Sequence, residues 1–370
     1  MKKAQMDIGV QKFTARPTKT KEFQIRPFIF SDAEQVAMMF QEFFPWKKDV
    51  PLHELIENLH SEFPESNEYP PLVATDSDGT IHGFIAIRKV EFIFQNKPVN
   101  GAYCSDLLVT EHARAALMPL RMLQTFLKGP QDFSFSDDAE NISKLIWSRL
   151  GGETAYPYSI YYTIPLRPVS LALHMVSKDK AKWMNSIASA VSNPLEKLYK
   201  FFRIPLFQTD TETNELLVPL TPEILIEGLT KISKYYQLYP SLDPDKLSKF
   251  LDSVISSTQF GSPQASAILN TKKQLIGWFL YFMSKDRRCN IMHAECLPGM
   301  EDALIKNLKK HAFLNGGIEL SGRVSPIQIG TDFNNQAVNR PGKKWFLVHS
   351  KNPELIYSIQ SGKAFLTNCW

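Results

Sequence analysis

Glycine is scarce in this chain, at 17 of 370 residues, where ordinary usage near 7% would supply about 26. No two glycines are separated by a single residue, so there is no G-x-G, and neither G-x-x-x-x-G-K-[ST] nor G-x-S-x-G occurs. Dinucleotide oxidoreductases, P-loop NTPases and elbow-type hydrolases need those glycines for phosphate cradles and nucleophile turns, and all three classes lose their basis. Cysteine is also sparse. Cys104, Cys289, Cys296 and Cys369 form no C-x-x-C and no regular framework, which suits reduced thiols. Long apolar runs are missing, and no apolar stretch follows Met1-Lys2-Lys3. The sequence therefore predicts neither a signal peptide nor a membrane span, and a cytoplasmic location.

What is present is ordinary for a folded chain: 44% hydrophobic and 22% charged residues, with length enough for two domains at about 150 residues each. The net charge of +4 is unevenly placed. Between Leu166 and Pro205 seven Lys and Arg face two Asp and Glu. With that segment set aside the chain is close to neutral, which argues against a nucleic-acid surface along its length. The segment itself reads as a basic linker able to touch an acidic partner or a membrane surface.

Residues 1–22 are polar and aperiodic and read as a tail. From Phe23 a short strand leads to the capped start Ser31-Asp32-Ala33-Glu34 and a helix with Val36, Met39, Phe40 and Phe43 on one face. A second helix follows Pro51, with Leu52, Leu55, Ile56 and Leu59 on one side. Pro71–Thr75, the turn Asp76-Ser77-Asp78-Gly79 and Ile81–Ile87 make a hairpin. There follow a strand from Gly101 to Val109, a helix from about Ala115 to Leu127, a strand at Asp132–Ser136, a helix at Ile142–Leu150 closed by Gly151-Gly152, and a strand from Tyr158 to Leu166 that finishes the unit.

Part of this order recurs. Ala267–Phe279 parallels Val73–Phe84 as strand, polar turn, aliphatic, Gly, aromatic. A helix pair (222–236 and 244–255) precedes it, and strand (289–295), helix (300–314) and strand (317–322) follow, so the sequence predicts a diverged internal duplication. Residues 169 to about 210 connect the halves, with Lys180–Phe202 helical and interrupted at Pro194.

Cys289, His293 and Cys296 invite a metal, but an uninterrupted strand puts 289 and 293 on one face and 296 on the other, so none is expected there. His53, Glu57 and His60 share a helix face without forming H-E-x-x-H, and read as a solvated rim. Arg323 and Arg340 put positive charge on second-half loops, either meeting an anionic substrate or solvating a turn.

The order of elements and several local words resemble the GNAT acyl-CoA transferase superfamily in a tandem, two-half arrangement. The words are Asp106–Leu120, Asp132–Asn141 and the stretch Leu145, Trp147, Arg149, Leu150, Gly151, Gly152. The resemblance implies an α/β (α+β) fold: two GNAT-like domains, each a mixed, mostly antiparallel sheet flanked by helices. They are expected at 23–168 and 211–370, joined by the linker 169–210. It also implies a loop of pattern Q/R-x-x-G-x-G/A that holds the CoA pyrophosphate at a helix N-terminus. Arg114 holds the Q/R place, while Leu117 and Pro119 fill the glycine places. The cofactor-binding set implied is Leu108, Val109, Arg114, Ala115, Ala116, Leu117 and Met118, with Asn141 near pantetheine. Asp106 is the implied base for the amine. The tyrosine that acts as acid in the family is replaced, since 147 and 148 are Trp and Ser, leaving Tyr158 and Tyr161 as candidates beside Tyr162.

In the second half the equivalent loop, Glu295–Ala303, places Glu301 and Asp302 in the first helical turn, where they repel phosphate. That half is expected to shape the substrate cleft, with Glu295 as an acidic group for an amine. The expected activity is an N-acyltransferase, most simply an N-acetyltransferase, using acetyl-CoA or another acyl-CoA and no metal on a small-molecule or peptide amine. A non-catalytic scaffold, or a transferase using another carrier, is the alternative.

Overall fold

The computed structural model describes residues 22–171, 214–257, 260–326, 338–341 and 344–366. The helix expected at Lys180–Phe202 and the tail up to residue 21 lie outside the described residues. The chain divides into two compact units, one of the residues up to Ala86 with Asp106–Phe126, the other of Ile87–Ser105 with Leu127 onward. Two mixed, mostly antiparallel sheets flanked by helices run through them, as the sequence leads one to expect.

In the first unit β1 (Gln24–Pro27) pairs antiparallel with β2 (Leu72–Thr75), and β2 with the start of β3 (Ile81–Phe94). Helix α1 (Ala33–Phe43) buries Val36, Ala37, Met39 and Phe40, and α2 (Leu52–Glu62) buries Leu55 and Leu59. This is the 3.6-residue period that the sequence displays. Phe84 centres the core, with the rings of Phe28, Phe40 and Phe63 at 6.1, 5.6 and 6.3 Å. The end of β4 (Lys97–Val109) leads into α3 (Glu111–Ala115) and α4 (Met118–Leu127).

In the second unit β4 runs parallel to β5 (Phe133–Ala139) over three residue pairs, Gly101↔Phe133 to Tyr103↔Phe135. After α5 (Asn141–Arg149) and β6 (Glu153–Thr154) comes β7 (Ile160–Pro165). The other elements are β8 (Leu216–Pro219), α6 (Pro222–Ser233), β9 (Leu238–Pro240), α7 (Pro244–Ser256), β10 (Ser262–Leu269), β11 (Leu275–Met283), β12 (Arg288–Cys296), α8 (Glu301–Leu314), β13 (Glu319–Arg323), β14 (Val338–Pro341), β15 (Trp345–Ser350) and α9 (Pro353–Gln360). The second sheet has the order β14-β7-β13-β12-β11-β10-β8. Within it β12 and β13 are again parallel over three pairs, Arg288↔Glu319 to Asn290↔Ser321.

The internal repeat is visible atom by atom in the two hairpin turns. Asp76 Oδ1 accepts from the N–H of Asp78 and Thr80, and Asn270 Oδ1 accepts from the N–H of Lys272 and Gln274. Gly79 and Lys273, each three residues on, both have positive φ, 81° and 60°. Both hairpins also carry a register shift at the same place, Ala74/Thr75 and Ile268/Leu269.

One expectation is corrected. The strand near Tyr158–Leu166 does not finish the sheet of its own half. β7 pairs antiparallel with β13 and β14 of the second sheet, while β15, near the other end of the chain, pairs with β5 and β6. Each strand carries apolar side chains suited to its adopted core: Tyr162 and Ile164 join Leu320, Leu304 and Leu308, and Phe346 stacks on Phe135 at 6.0 Å. An apolar alternation specifies a face and not a sheet, so the sequence alone cannot reveal the exchange.

The two repeat glycines are in different surroundings. A Cβ on Gly277 meets the Glu295 carbonyl oxygen and the Cys296 Cβ, both at 2.9 Å, whereas a Cβ on Gly83 meets the flexible Met122 Sδ at 2.7 Å. Gly277→Ala should lower unfolding free energy by about 1–3 kcal/mol through overpacking against backbone. Gly83→Ala should cost less than about 1 kcal/mol by the same reasoning. Urea denaturation of both variants checks the ordering.

Candidate functional site

In the first unit the candidate segment starts at a kink. Asp106, half-buried on β4, has φ +48°, which breaks the strand's regular pleat three residues before its end. Leu108 and Val109 are buried beyond it. The Arg114 side chain folds back, with Nε donating to the Val109 carbonyl at 2.8 Å and the guanidinium 5.8 Å from the Phe43 ring. The N–H groups of Ala116 and Leu117 turn onto the carbonyls of Ala113 and Arg114. Leu117 itself has φ +56° and is 64% exposed. A leucine therefore holds a left-handed backbone that glycine adopts more readily. The first turn of α4 follows with Met118, Pro119 and Leu120, where Pro119 offers no N–H.

A histidine that sequence reasoning passed over braces this loop. His82 lies 3.1 Å (Nε2) from Asp76 Oδ2 and 3.2 Å (Nδ1) from Thr110 Oγ1, and the Thr110 N–H donates to the His82 carbonyl. The hairpin turn is thus tied to the residue that caps α3.

In the second unit the parallel ladder of β12 and β13 ends at Asn290↔Ser321, and a cavity of about 60 Å³ lies beyond it. It is lined by Met292, His293, Glu295, Arg323, Ser325 and Tyr158, and by the backbone segment Ala364–Leu366. A bulge sets its chemistry. The β11–β12 register slips between Leu280↔His293 and Tyr281↔Ile291, leaving Met292 extra. Cys289 and Cys296 consequently share one face and its core, while His293 and Glu295 lie on the other. The alternation expected from an unbroken strand, with 289 and 293 together, is corrected by this one residue.

His293 accepts a hydrogen bond at Nδ1 from the Trp278 indole N–H, 3.0 Å away, and stacks on that ring. Its Nε2 is buried without a partner. Burial lowers the imidazole to about 4. Burial also pushes the Glu295 carboxyl up to about 8, with the Ser325 hydroxyl, 3.3 Å from Oε2, offsetting part of the rise.

Tyr158 donates to the Ala364 carbonyl at 2.5 Å and accepts from the Ala364 N–H at 3.2 Å. Burial holds this phenol protonated far above its ordinary range. Tyr161 is arranged differently. It accepts at 2.6 Å from Arg323, which also pairs with Asp137 at 3.5 Å, and the Tyr103 hydroxyl donates to Asp137 at 2.7 Å. The Asn141 side chain accepts from the Trp345 indole at 2.7 Å, and Lys144 lies 3.4 Å above that ring. The second-half loop is closed on itself, since the Glu301 carboxylate accepts from the Gly299 N–H at 3.0 Å.

The structure thus gathers His293, Glu295, Arg323, Ser325 and Tyr158 around one cavity, and Asp106, Leu108, Val109 and 114–118 along one strand-loop-helix segment. The sequence offered no sign of Ser325 as a site residue, and it raised His293 only as a metal ligand. Among the described residues no three His, Cys, Asp or Glu side chains gather as metal ligands, and no helix is long and apolar enough to cross a membrane.

No protein-family model matches the chain, and no curated protein matches it in sequence. Solved structures are similar to it in fold. A conserved protein of unknown function from Enterococcus faecalis, described as a probable N-acyltransferase, superposes with TM-score 0.59 at 9% identity over 89% of this chain and 73% of its own. A GCN5-related N-acetyltransferase from Anabaena variabilis gives 0.56 at 11% identity over 90% and 74%. The N-myristoyltransferase of Saccharomyces cerevisiae, solved with myristoyl-CoA and inhibitors, gives 0.50 at 12% identity over 91% and 81%. The chain has the GNAT-like fold, in its two-half form.

Two tests follow from this geometry. At Leu117 a glycine relieves the left-handed strain and an alanine does not, so Leu117→Gly should be about 1 kcal/mol more stable than Leu117→Ala in chemical denaturation. The buried pair predicts a pH profile. Glu295 holds its proton more tightly folded than unfolded, so stability falls as pH rises from about 4.5 to about 8; His293 holds its proton less tightly, so stability rises from about 4 to 6.5. The two slopes oppose below 6.5, and a net fall approaching about 1.4 kcal/mol per pH unit should emerge between 6.5 and 8. Glu295→Gln should abolish that fall and leave the rise, as measured by denaturation midpoints across pH.

Proposed function

We propose that the chain is an N-acyltransferase that moves an acyl group from acyl-CoA to an amine, with acetyl-CoA the simplest donor. The half from 23 to 168 takes the acyl-CoA, and the half from 211 to 370 shapes the acceptor side. One observation carries this reading: behind the kinked β4, the loop keeps a glycine-type backbone at Leu117 (φ +56°) and opens onto the N-terminus of the ten-residue α4. The N–H groups of a helix's first turn and its dipole favour phosphate oxygens. Loop residues Arg114–Met118 are assigned to the pyrophosphate, Leu108 and Val109 to the thioester end, and Asn141 to the pantetheine.

In the reaction the amine nitrogen bonds to the thioester carbonyl carbon while the carbon–sulfur bond breaks. The strand-end N–H near Val109 polarises the carbonyl, and Asp106 takes the amine's proton directly or through water. The departing thiolate takes up a proton. Of the two tyrosines, Tyr161 suits that step better: its hydroxyl accepts from Arg323 and keeps its own proton to give, whereas Tyr158 commits its proton to Ala364. No covalent enzyme intermediate is needed. The second half does not take CoA, because Glu301 already fills its loop. A second reading has its own observation: Pro119 removes one donor from the first-half loop, which suits a carrier other than CoA.

Thermal-shift titration with CoA, acetyl-CoA and medium-chain acyl-CoAs tests the proposal. At a hundredfold excess over Kd, binding should add about 2.7 kcal/mol to stability. Arg114→Glu should lose the shift. No shift with any of these ligands would overturn acyl-CoA use and leave the other carrier, or a non-catalytic scaffold.

A further inference from the structure

The cavity past the β12–β13 ladder is unusual in what it leaves unpaired. Three buried polar atoms at or beside it have no hydrogen-bond partner: His293 Nε2, Arg323 Nε and the Tyr236 hydroxyl. Tyr236 follows α6, and its hydroxyl comes near Ser325 and Glu295 without the geometry of a hydrogen bond to either. The two nitrogens can only donate, and the phenol has a proton to donate as well. An indole N–H can only donate, so the Trp278 bond requires a lone pair on His293 Nδ1, and the proton of the neutral ring sits on Nε2. Arginine Nε carries a hydrogen and no lone pair, and the other guanidinium nitrogens are engaged by Asp137 and Tyr161.

An ammonium group would bring more donors to a site already short of acceptors. Unpaired buried donors are satisfied only by an acceptor. The space of about 60 Å³ is several times the ~10–15 Å³ that one water needs, so it suits a group of three or four heavy atoms.

We infer that this cavity binds a carboxylate, held by the His293 Nε2–H, the Arg323 Nε–H and the Tyr236 hydroxyl, and that the acyl acceptor is an amine that also carries a carboxylate, such as an amino acid or a peptide C-terminus. The second clause rests on the acyltransferase reading; the first does not. It also revises the role expected of Glu295: protonated, it accompanies a carboxylate as a further donor and does not serve as a counter-charge for an amine. The groups around Glu295 are Tyr158 and Tyr162 on the β7 side, Tyr236 after α6, His293 and Cys296 on its own strand, and Arg323 and Ser325 at the end of β13. Of these, Glu295 alone changes charge near pH 8, and its ionisation there would place a second anion against the ligand.

The test uses the full-length protein titrated with acetate, glycine, glycinamide and methylammonium, followed by thermal shift and calorimetry. Acetate and glycine should bind, glycinamide and methylammonium should not, and carboxylate affinity should fall as pH passes about 8. Tyr236→Phe gives a paired signature: removing an unpartnered hydroxyl should leave the free protein as stable or more stable, while carboxylate affinity drops tenfold or more. Glu295→Gln keeps a neutral donor, so it should retain acetate binding and remove its pH dependence. Methylammonium binding that Glu295→Gln abolishes would overturn the proposal, and so would a cavity that takes none of the four probes and holds water only. Acyl-CoA titrated into the same samples separates the two readings: carboxylate binding without acyl-CoA binding sinks acyl-CoA as the donor, and the reverse sinks the carboxylate site. With acyl-CoA bound, turnover of glycine but not glycinamide is the result expected for the acceptor.

Discussion

A single extra residue in β12 governs the chemistry of the second half. Without the bulge at Met292, period-two alternation would send His293 to the Cys289 face, and the cavity would lose its imidazole. With it, the cysteines go to the core under α8, while His293 and Glu295 reach the space where β12 and β13 stop pairing. The position answers to the first half. Thr110 N–H donates to the residue before Gly83, and Leu297 N–H donates to the residue before Gly277. Counting back four residues from each puts His293 in register with Asp106, itself at a positive φ. Both halves thus break the same strand at the same place, and they fill the break with groups of different polarity.

Burying donors away from acceptors destabilises the fold. Each buried donor left without an acceptor costs about 1–3 kcal/mol, and three of them make a large fraction of the 5–15 kcal/mol by which a domain is stable. The exchanged strands make the arrangement affordable. β7 lies against β13 over five residue pairs, and Tyr158, just before it, is fastened by two hydrogen bonds to Ala364 beyond α9. The cavity wall is therefore fixed by segments about two hundred residues apart in sequence. Loss of either segment would relax the wall that keeps the donors from turning toward other acceptors.

Much of this architecture is legible in the sequence, and the parts that are not share a cause. The repeat is readable because turn chemistry is local: Asp76 and Asn270 accept from the residues two and four ahead whatever the tertiary context. The helices are readable because Val36, Met39, Phe40 and Leu55, Leu59 keep the helical period. Strand exchange is not readable, because β7 and β15 present similar apolar alternation and their partners lie far away. The bulge is not readable either. One inserted residue in a nine-residue strand changes no composition and no visible pattern, yet it reverses which side chains meet. Glu295 stands out in the sequence by its place at the strand end, whereas the placing of His293 and Ser325 beside it depends on the bulge and on the end of β13.

The two loops that follow the broken strands make corresponding turns by different means. In the first half the backbone still turns through the left-handed region, although leucine pays strain there that glycine would not, and its side chain gains no burial in return. A conformation kept against propensity implies that the path of the chain into α4 is itself constrained. In the second half a true glycine, Gly299, makes the turn at φ +83°, but its N–H is taken by the Glu301 carboxylate. There the protein supplies its own anion at the helix start. The first loop keeps the left-handed turn without the glycine, and the second keeps the glycine with its N–H already bonded. The unpartnered donors of the second half lie instead on His293, next to the bulge, and on Arg323 and Tyr236.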